Sequence, residues 1–242
     1  PVYGDLYFEL HEEKQEVYVV THVDSQSWPD GEGGIRFGFE PNVLDEFDGP
    51  DEFRQAYLQA VQNYEQIRRQ IDKIFDQRRR EQGLDLNQPC LTPHALQHGV
   101  RTVEFQTPVY ERKILAFGQK VLTQERWDTE AAVDLMSLQP QVEQKLTVLE
   151  EGQGVCRELV VSFDDFQVQR VTLAEATCWQ IQPIGSYQLL ILVSGVLKIG
   201  ADCVRLSSEQ AVLLPALDSA TLIRNCGPGE CIALLSQPLK AK

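Results

Sequence analysis

Over residues 159–235 the chain breaks into short apolar runs, each closed by glycine, proline or a polar cluster, and none is long enough for a helix of several turns. The runs 159–163, 166–173, 178–182, 187–193, 196–199, 211–214, 221–224 and 231–235 read as strands. Strands this short and this numerous hide an apolar face only by packing sheet on sheet, so the spacing predicts a sandwich or jelly roll. The first part of the chain is also hairpin-rich, with strand patterns at 6–10, 17–23, 35–39, 102–106 and 112–117. Between them the period changes. Phe53, Tyr57, Ala60, Val61, Tyr64, Ile67, Ile71, Ile74 and Phe75 recur at three and four residues, which predicts a helical insertion over 51–82, with Arg78, Arg79 and Arg80 in its last turn and Gly83 as the stop. A second, short helix is expected from Asp128 as N-cap to Met136, and 139–154 reads as a connector.

Composition removes several classes of function. The chain has 242 residues, 43% of them hydrophobic, enough for one large core or two small ones. No apolar run approaches the ~20 residues that cross a bilayer, and no secretory leader opens the sequence, so the expected location is the cytoplasm. The cysteines, Cys90, Cys156, Cys178, Cys203, Cys226 and Cys231, contain no C-x-x-C pair and read as reduced thiols. A net charge of −14 argues against nucleic acid or an anionic membrane as partner, because both need a basic footprint. Within 95–126, however, Arg101, Arg112, Lys113, Lys120 and Arg126 outnumber Glu104, Glu111 and Glu125, so a local pocket for a small anion is compatible with the acidic whole.

The chemistry concentrates near the start. In Glu9-x-His11 the side chains lie two residues apart on a strand and project to one face. After the turn Glu12-Glu13-Lys14-Gln15, Glu16 opens the next apolar run and brings a carboxylate back to the pair. His94, from a third strand, completes a set of two imidazoles and two carboxylates, a donor set suited to Zn, with Fe, Mn or Ni as alternatives. His22 and His98 are less well placed, and residues 155–242 contain no histidine at all.

The spacing resembles the first cupin motif, H-x-H-x4-E, with Glu9 where the first His usually stands. The second motif, G-x5-P-x-G-x2-H, is echoed from Gly83 through Pro89 to His94, with Leu91 in place of the internal glycine. In the second half the same spacing runs from Glu209 through Pro215 and Leu217 to Ala220, with alanine at the histidine position. Together with Lys14-Gln15-Glu16, Pro89-Cys-Leu-Thr-Pro-His94-Ala, Val103-Glu104-Phe-Gln106, Tyr110-Glu-Arg112 and the run from Ser186 to Gly195, these residues make the chain similar to the type I phosphomannose isomerase family. That resemblance implies a mainly β bicupin of two jelly-roll barrels: a metal-binding barrel over 1–138 carrying the helical insertion, and a metal-free one over 155–242. It implies metal ligands Glu9, His11, Glu16 and His94, and Lys14, Glu104 and Arg112 as catalytic or substrate-pocket residues. The implied activity is aldose–ketose isomerisation of mannose 6-phosphate or a related sugar. A metal- and sugar-binding cupin without turnover is the alternative, because the segment between Glu104 and Arg112 is shorter than in the family.

Overall fold

The computed structural model describes residues 7–30, 32–61, 75–81, 85–88, 90–97, 99–116, 129–140, 145–201, 203–216 and 218–239. The chain is mainly β and divides into two compact units, Pro1–Glu143 and Gln144–Lys242.

The first unit contains strands β1 (Tyr7–Leu10), β2 (Glu16–Val23), β3 (Glu32–Phe39), β4 (Phe75–Glu81), β5 (Asp85–Gln88), β6 (His94–Leu96), β7 (Val100–Gln106) and β8 (Lys113–Ala116). They form a five-stranded sheet in the order β4-β3-β6-β1-β8 and a three-stranded sheet in the order β5-β2-β7. Alternation along β1 decides what each face does. Phe8 and Leu10 are fully buried in a cluster with Phe39 and Leu115 of the same sheet and with residues of two helices. These helices are α1 (Pro50–Val61), which contributes Phe53 and Tyr57, and α2 (Thr129–Leu135), which contributes Ala132 and Val133. Arg54 Nε donates to the Val133 carbonyl at 3.1 Å and ties the two helices together. The other face of the sheet meets the three-stranded sheet, where Val20 packs against Ile35 and Phe37. Glu9 belongs to this inner face.

α1 begins with Pro50, whose missing N–H is one the first turn leaves unpaired anyway, and Asp51 and Glu52 complement the positive end of the helix. The helix expected over 51–82 is shorter than that. It ends at Val61; residues 62–74 lie outside the described residues, and Phe75–Glu81 is a strand, antiparallel to β3 at the sheet edge. After Phe75 the sequence Asp-Gln-Arg-Arg-Arg-Glu offers no apolar residue that could hold a helix against a core. The open backbone edge of β3 offers partners instead, and a charged run suits a strand that must not recruit another.

The second unit contains β9 (Thr147–Gly152), β10 (Val155–Ser162), β11 (Phe166–Leu173), β12 (Cys178–Ile181), β13 (Gln188–Ser194), β14 (Val196–Ile199), β15 (Val204–Ser207), β16 (Ala211–Leu214), β17 (Thr221–Asn225) and β18 (Cys231–Pro238). A six-stranded sheet, β16-β13-β18-β11-β10-β9, and a four-stranded sheet, β12-β17-β14-β15, share one core. Val171, Leu190, Leu192 and Leu235 from the first meet Ile181, Leu197, Ile199 and Ile223 from the second. β9 corrects the expected connector over 139–154, because residues 147–152 are paired to β10. Gly195, between β13 and β14, holds φ at +94°, and a Cβ there would lie 3.0 Å from the Cys231 Cα, so both conformation and space require glycine. At the end of β17, Asn225 is 1% exposed. Its Nδ2 donates toward the carbonyls of Leu173 and Ala174, each at 3.1 Å, and of Gly229 at 2.8 Å, while its Oδ1 accepts from the Gly227 N–H at 3.0 Å.

All six cysteines are free. Burial pushes the Cys231 thiol up to about 12, whereas Cys178, Cys203 and Cys226 are exposed. Because the thiolate is the reactive form, about one Cys231 in ten thousand is competent at pH 8. Iodoacetamide at that pH, followed by peptide mapping, is expected to mark the three exposed thiols long before Cys231, which should react only after unfolding; equal rates would contradict this packing. Among the described residues no helix is long and apolar enough to cross a membrane.

Candidate metal centre

Glu9 and His94 are direct partners across the β1–β6 pair. Continuing the row across the sheet, His94 pairs with Phe37 of β3 and Glu9 with Ile114 of β8. His11 follows β1 at the same parity as Glu9. Ligand atoms of Glu9, His11 and His94 lie within 4.8 Å of one another. From the three-stranded sheet, the carboxylate of Glu16 reaches the same place: its Oε1 is 3.4 Å from His11 Nε2 and its Oε2 is 3.4 Å from His94 Nε2. His11, His94 and Glu16 are 2%, 5% and 0% exposed, so water does not screen this cluster.

The other nitrogen of each ring is already committed. His11 Nδ1 lies 2.6 Å from the Glu111 carbonyl oxygen, and His94 Nδ1 lies 3.0 Å from that of Thr92. A carbonyl can only accept, so each Nδ1 carries a proton and donates it, and Nε2 is the ring atom turned toward Glu16. Backbone carbonyls orienting ring nitrogens in this way are the usual outer support of metal-bound histidines. Two donors at ~2.1 Å from one tetrahedral ion stand about 3.4 Å apart. Among the described residues His11 Nε2 makes no hydrogen bond although it is buried. The donor set therefore fits a divalent cation in chemistry, orientation and spacing.

Charge around Glu16 follows from the same contacts. Burial alone would raise its carboxyl, but His11, His94 and the ammonium of Lys14, which touches Oε1, outweigh that and hold it well below the usual carboxylate range. Tyr18, two residues on, donates its O–H to Glu16 Oε2 at 3.0 Å, and burial with the nearby carboxylate pushes its hydroxyl far up, so it remains a donor. Glu104 pairs with Tyr18 across β2–β7. Although the residue is exposed overall, desolvation of its carboxyl and the charge of Glu16 push it up to about 7. Arg112, just before β8, donates from Nη1 to Glu9 Oε1 at 3.0 Å.

The structure thus brings Glu9, His11, Glu16 and His94 together, with Lys14 and Glu104 beside Glu16 and Arg112 beside Glu9. Lys120 and Arg126 of the basic stretch lie outside the described residues. Three contributors escaped the sequence reading. Tyr18 shares the strand parity of Glu16, which was a usable signal. The carbonyls of Glu111 and Thr92 act through the backbone and leave none. Glu111 also braces the turn after His11, its Oε2 accepting from the Glu12 N–H at 2.9 Å and the Glu13 N–H at 3.3 Å. Leu91 adopts φ +61° at the position where the motif ordinarily has glycine, and its N–H donates to the His11 carbonyl at 2.6 Å. The left-handed turn survives without its usual residue, at a cost of about 1–2 kcal/mol, and Leu91 packs against the helix-covered core in return.

No protein-family model matches the sequence, and no curated protein matches it either. Solved structures do match its fold. Mannose 6-phosphate isomerase from Bacillus subtilis superposes with a TM-score of 0.70 at 15% identity, over 96% of this chain and 71% of that one. A mutant phosphomannose isomerase from Salmonella typhimurium does so with a TM-score of 0.65 at 14% identity, over 93% of this chain and 66% of that one, slightly under two thirds of its length. Across so little sequence identity, what this chain shares with the phosphomannose isomerases is the fold.

Proposed function

We propose that this chain is a metal-dependent aldose–ketose isomerase of the mannose-6-phosphate isomerase type, built as two cupin barrels of which the first holds the metal. The observation that carries the reading is the convergence of two Nε2 atoms on the Glu16 carboxylate while both Nδ1 atoms are bound to backbone carbonyls. His11, Glu16 and His94 would hold the ion, zinc in preference to Fe, Mn or Ni, with Glu9 as fourth or outer ligand. A divalent ion so held supplies a Lewis acid that polarises a sugar carbonyl.

The reaction moves one proton between C1 and C2 and one between the two oxygens, through an enediol. Lys14 and Glu104 flank Glu16 and are the groups assigned to hydrogen-bond the substrate oxygens and carry those protons. Arg112 presents a planar fork suited to phosphate, and its bond to Glu9 holds the guanidinium at the edge of the site. His11, Glu16, His94 and Tyr18 are buried, which limits the access of bulk water to the ligand atoms.

An NMR time course with mannose 6-phosphate and a panel of free aldoses tests this directly, with conversion to the ketose as the expected result. Arg112→Ala is expected to weaken the phosphorylated sugar by about 1.5–3 kcal/mol in calorimetry while leaving the free sugar nearly unchanged. Binding without conversion, or equal loss for both sugars, would favour the second reading, a metal- and sugar-binding cupin without turnover. One observation supports that alternative: Lys14 and Arg112 are both engaged in ion pairs, with Glu16 and Glu9.

A further inference from the structure

The second unit has a cavity of about 910 Å³, at the upper end of the ~300–1,000 Å³ typical of small-molecule sites. Its position follows from strand parity. On β11 the inward residues Leu173 and Val171 belong to the shared core, and the next two inward positions are Gln169 and Gln167. On β18, Cys231, Ala233 and Leu235 give way to Gln237; on β13, Leu192 and Leu190 give way to Gln188. Three adjacent strands therefore turn from aliphatic to carboxamide at the same end of one sheet, with Gln167 and Gln237 directly paired. All four glutamines line the cavity, together with Trp179 of the opposite sheet and Arg157.

Packing alone does not require this lining. Gln169 and Gln188 are 5% and 6% exposed, positions where the strands above them carry valine or leucine. Gln188 Nε2 donates to Gln237 Oε1 at 3.1 Å, and Arg157 Nη1 donates to Gln169 Oε1 at 3.1 Å, so the amides are held in fixed orientations. The side chain of Gln167 makes no hydrogen bond among the described residues. Carboxamides offer donors and acceptors without charge, which matches the alternating demands of vicinal hydroxyl groups. The Trp179 ring supplies a flat apolar surface for the C–H face of such a molecule. The charges that line the cavity disfavour an anion: Arg157 is engaged by Glu150 at 3.3 Å and stacks over Trp179 at 5.8 Å, and Glu151 adds a second carboxylate.

We propose that this cavity is a second binding site, separate in chain and chemistry from the candidate metal centre, for a neutral polyhydroxylated ligand of the free-sugar class. It discriminates against phosphorylated sugars because Arg157, the only lining cation among the described residues, is already paired with a carboxylate. The test uses the full chain, with saturation-transfer NMR and calorimetry against mannose, glucose and maltose, and mannose 6-phosphate as the charged control. At least one neutral sugar is expected to bind and to change tryptophan fluorescence. Gln167→Leu and Gln237→Leu are expected to weaken that binding about tenfold each, the equivalent of one neutral hydrogen bond. Gln167 is only half-buried, so its replacement should leave the urea midpoint where it was, which separates a lost ligand contact from a lost fold. His11→Ala should leave this binding intact, so the isomerase reading can fail while this one stands. Absence of binding by all three neutral sugars would overturn the proposal. So would affinity unchanged in both glutamine variants, binding lost in His11→Ala, or equally tight binding of mannose 6-phosphate here.

Discussion

His94→Ala is expected to abolish the metal binding proposed for the first unit. Its imidazole is one of two nitrogens facing Glu16, it is 5% exposed, and its orientation is fixed by the Thr92 carbonyl, so no neighbour can swing into its place. Loss of an outer-shell partner typically costs ten- to a hundredfold in metal affinity, and loss of a direct ligand should exceed about a hundredfold. Metal content after dialysis against a weak chelator, compared with the parent chain, measures this. Glu9→Gln is the informative contrast. Glu9 is shared with Arg112, so its replacement should reduce affinity far less. Retention of a full equivalent of metal by His94→Ala would remove the assigned centre.

The second large effect is expected from Asn225→Asp. The native amide donates toward three carbonyls and accepts from one N–H in a site 1% exposed. A carboxylate would turn a donating nitrogen into an oxygen facing carbonyl oxygens and bury an unpaired charge, at a cost of about 3–5 kcal/mol. Asn225→Ala should cost less, because it removes the amide's hydrogen bonds without placing an oxygen against the carbonyls or burying a charge. The two variants also differ in pH response. In the aspartate variant the folded state raises the carboxyl above its unfolded value of about 3.9. Relative stability is then greatest below that value and lost as pH rises through the folded one. Urea midpoints at acidic and neutral pH should show the gap between the two variants widening toward neutrality; a gap that stays constant would mean the carboxylate has found a partner.

Most strands of the second unit were legible because apolar positions alternate between turns; the runs at 166–173 and 196–199 coincide with β11 and β14. β9 was not legible, and its burial explains why. Every one of its residues is exposed, so no face is selected for apolarity and no period of two is written into Thr147–Gly152. β4 failed differently. The three-and-four spacing that marks α1 runs on as far as Phe75, the first residue of β4, and only the pairing with β3, distant in sequence, decides otherwise. At the site, Glu9, His11 and Glu16 could be assembled on paper because strand parity and one short turn determine their relation. The support beneath them could not, because it comes from the backbone of Glu111, Thr92 and Leu91, whose carbonyls and N–H groups are common to every residue type.

The alternation along β1 couples two kinds of error. A slip of one residue against β6 and β8 would carry Phe8 and Leu10 in among the imidazoles and push Glu9 and His11 under the helices. Misregistered chains would thus lose apolar burial and cation-binding geometry together, and a folded population with an intact core yet scrambled ligands has no low-energy form. Proofreading of the donor set is delegated to the hydrophobic contacts beneath it. One-residue insertions within Tyr7–Leu10 should accordingly be far less tolerated than equal insertions in the turn at Glu12–Gln15, where the chain can loop out without shifting either strand.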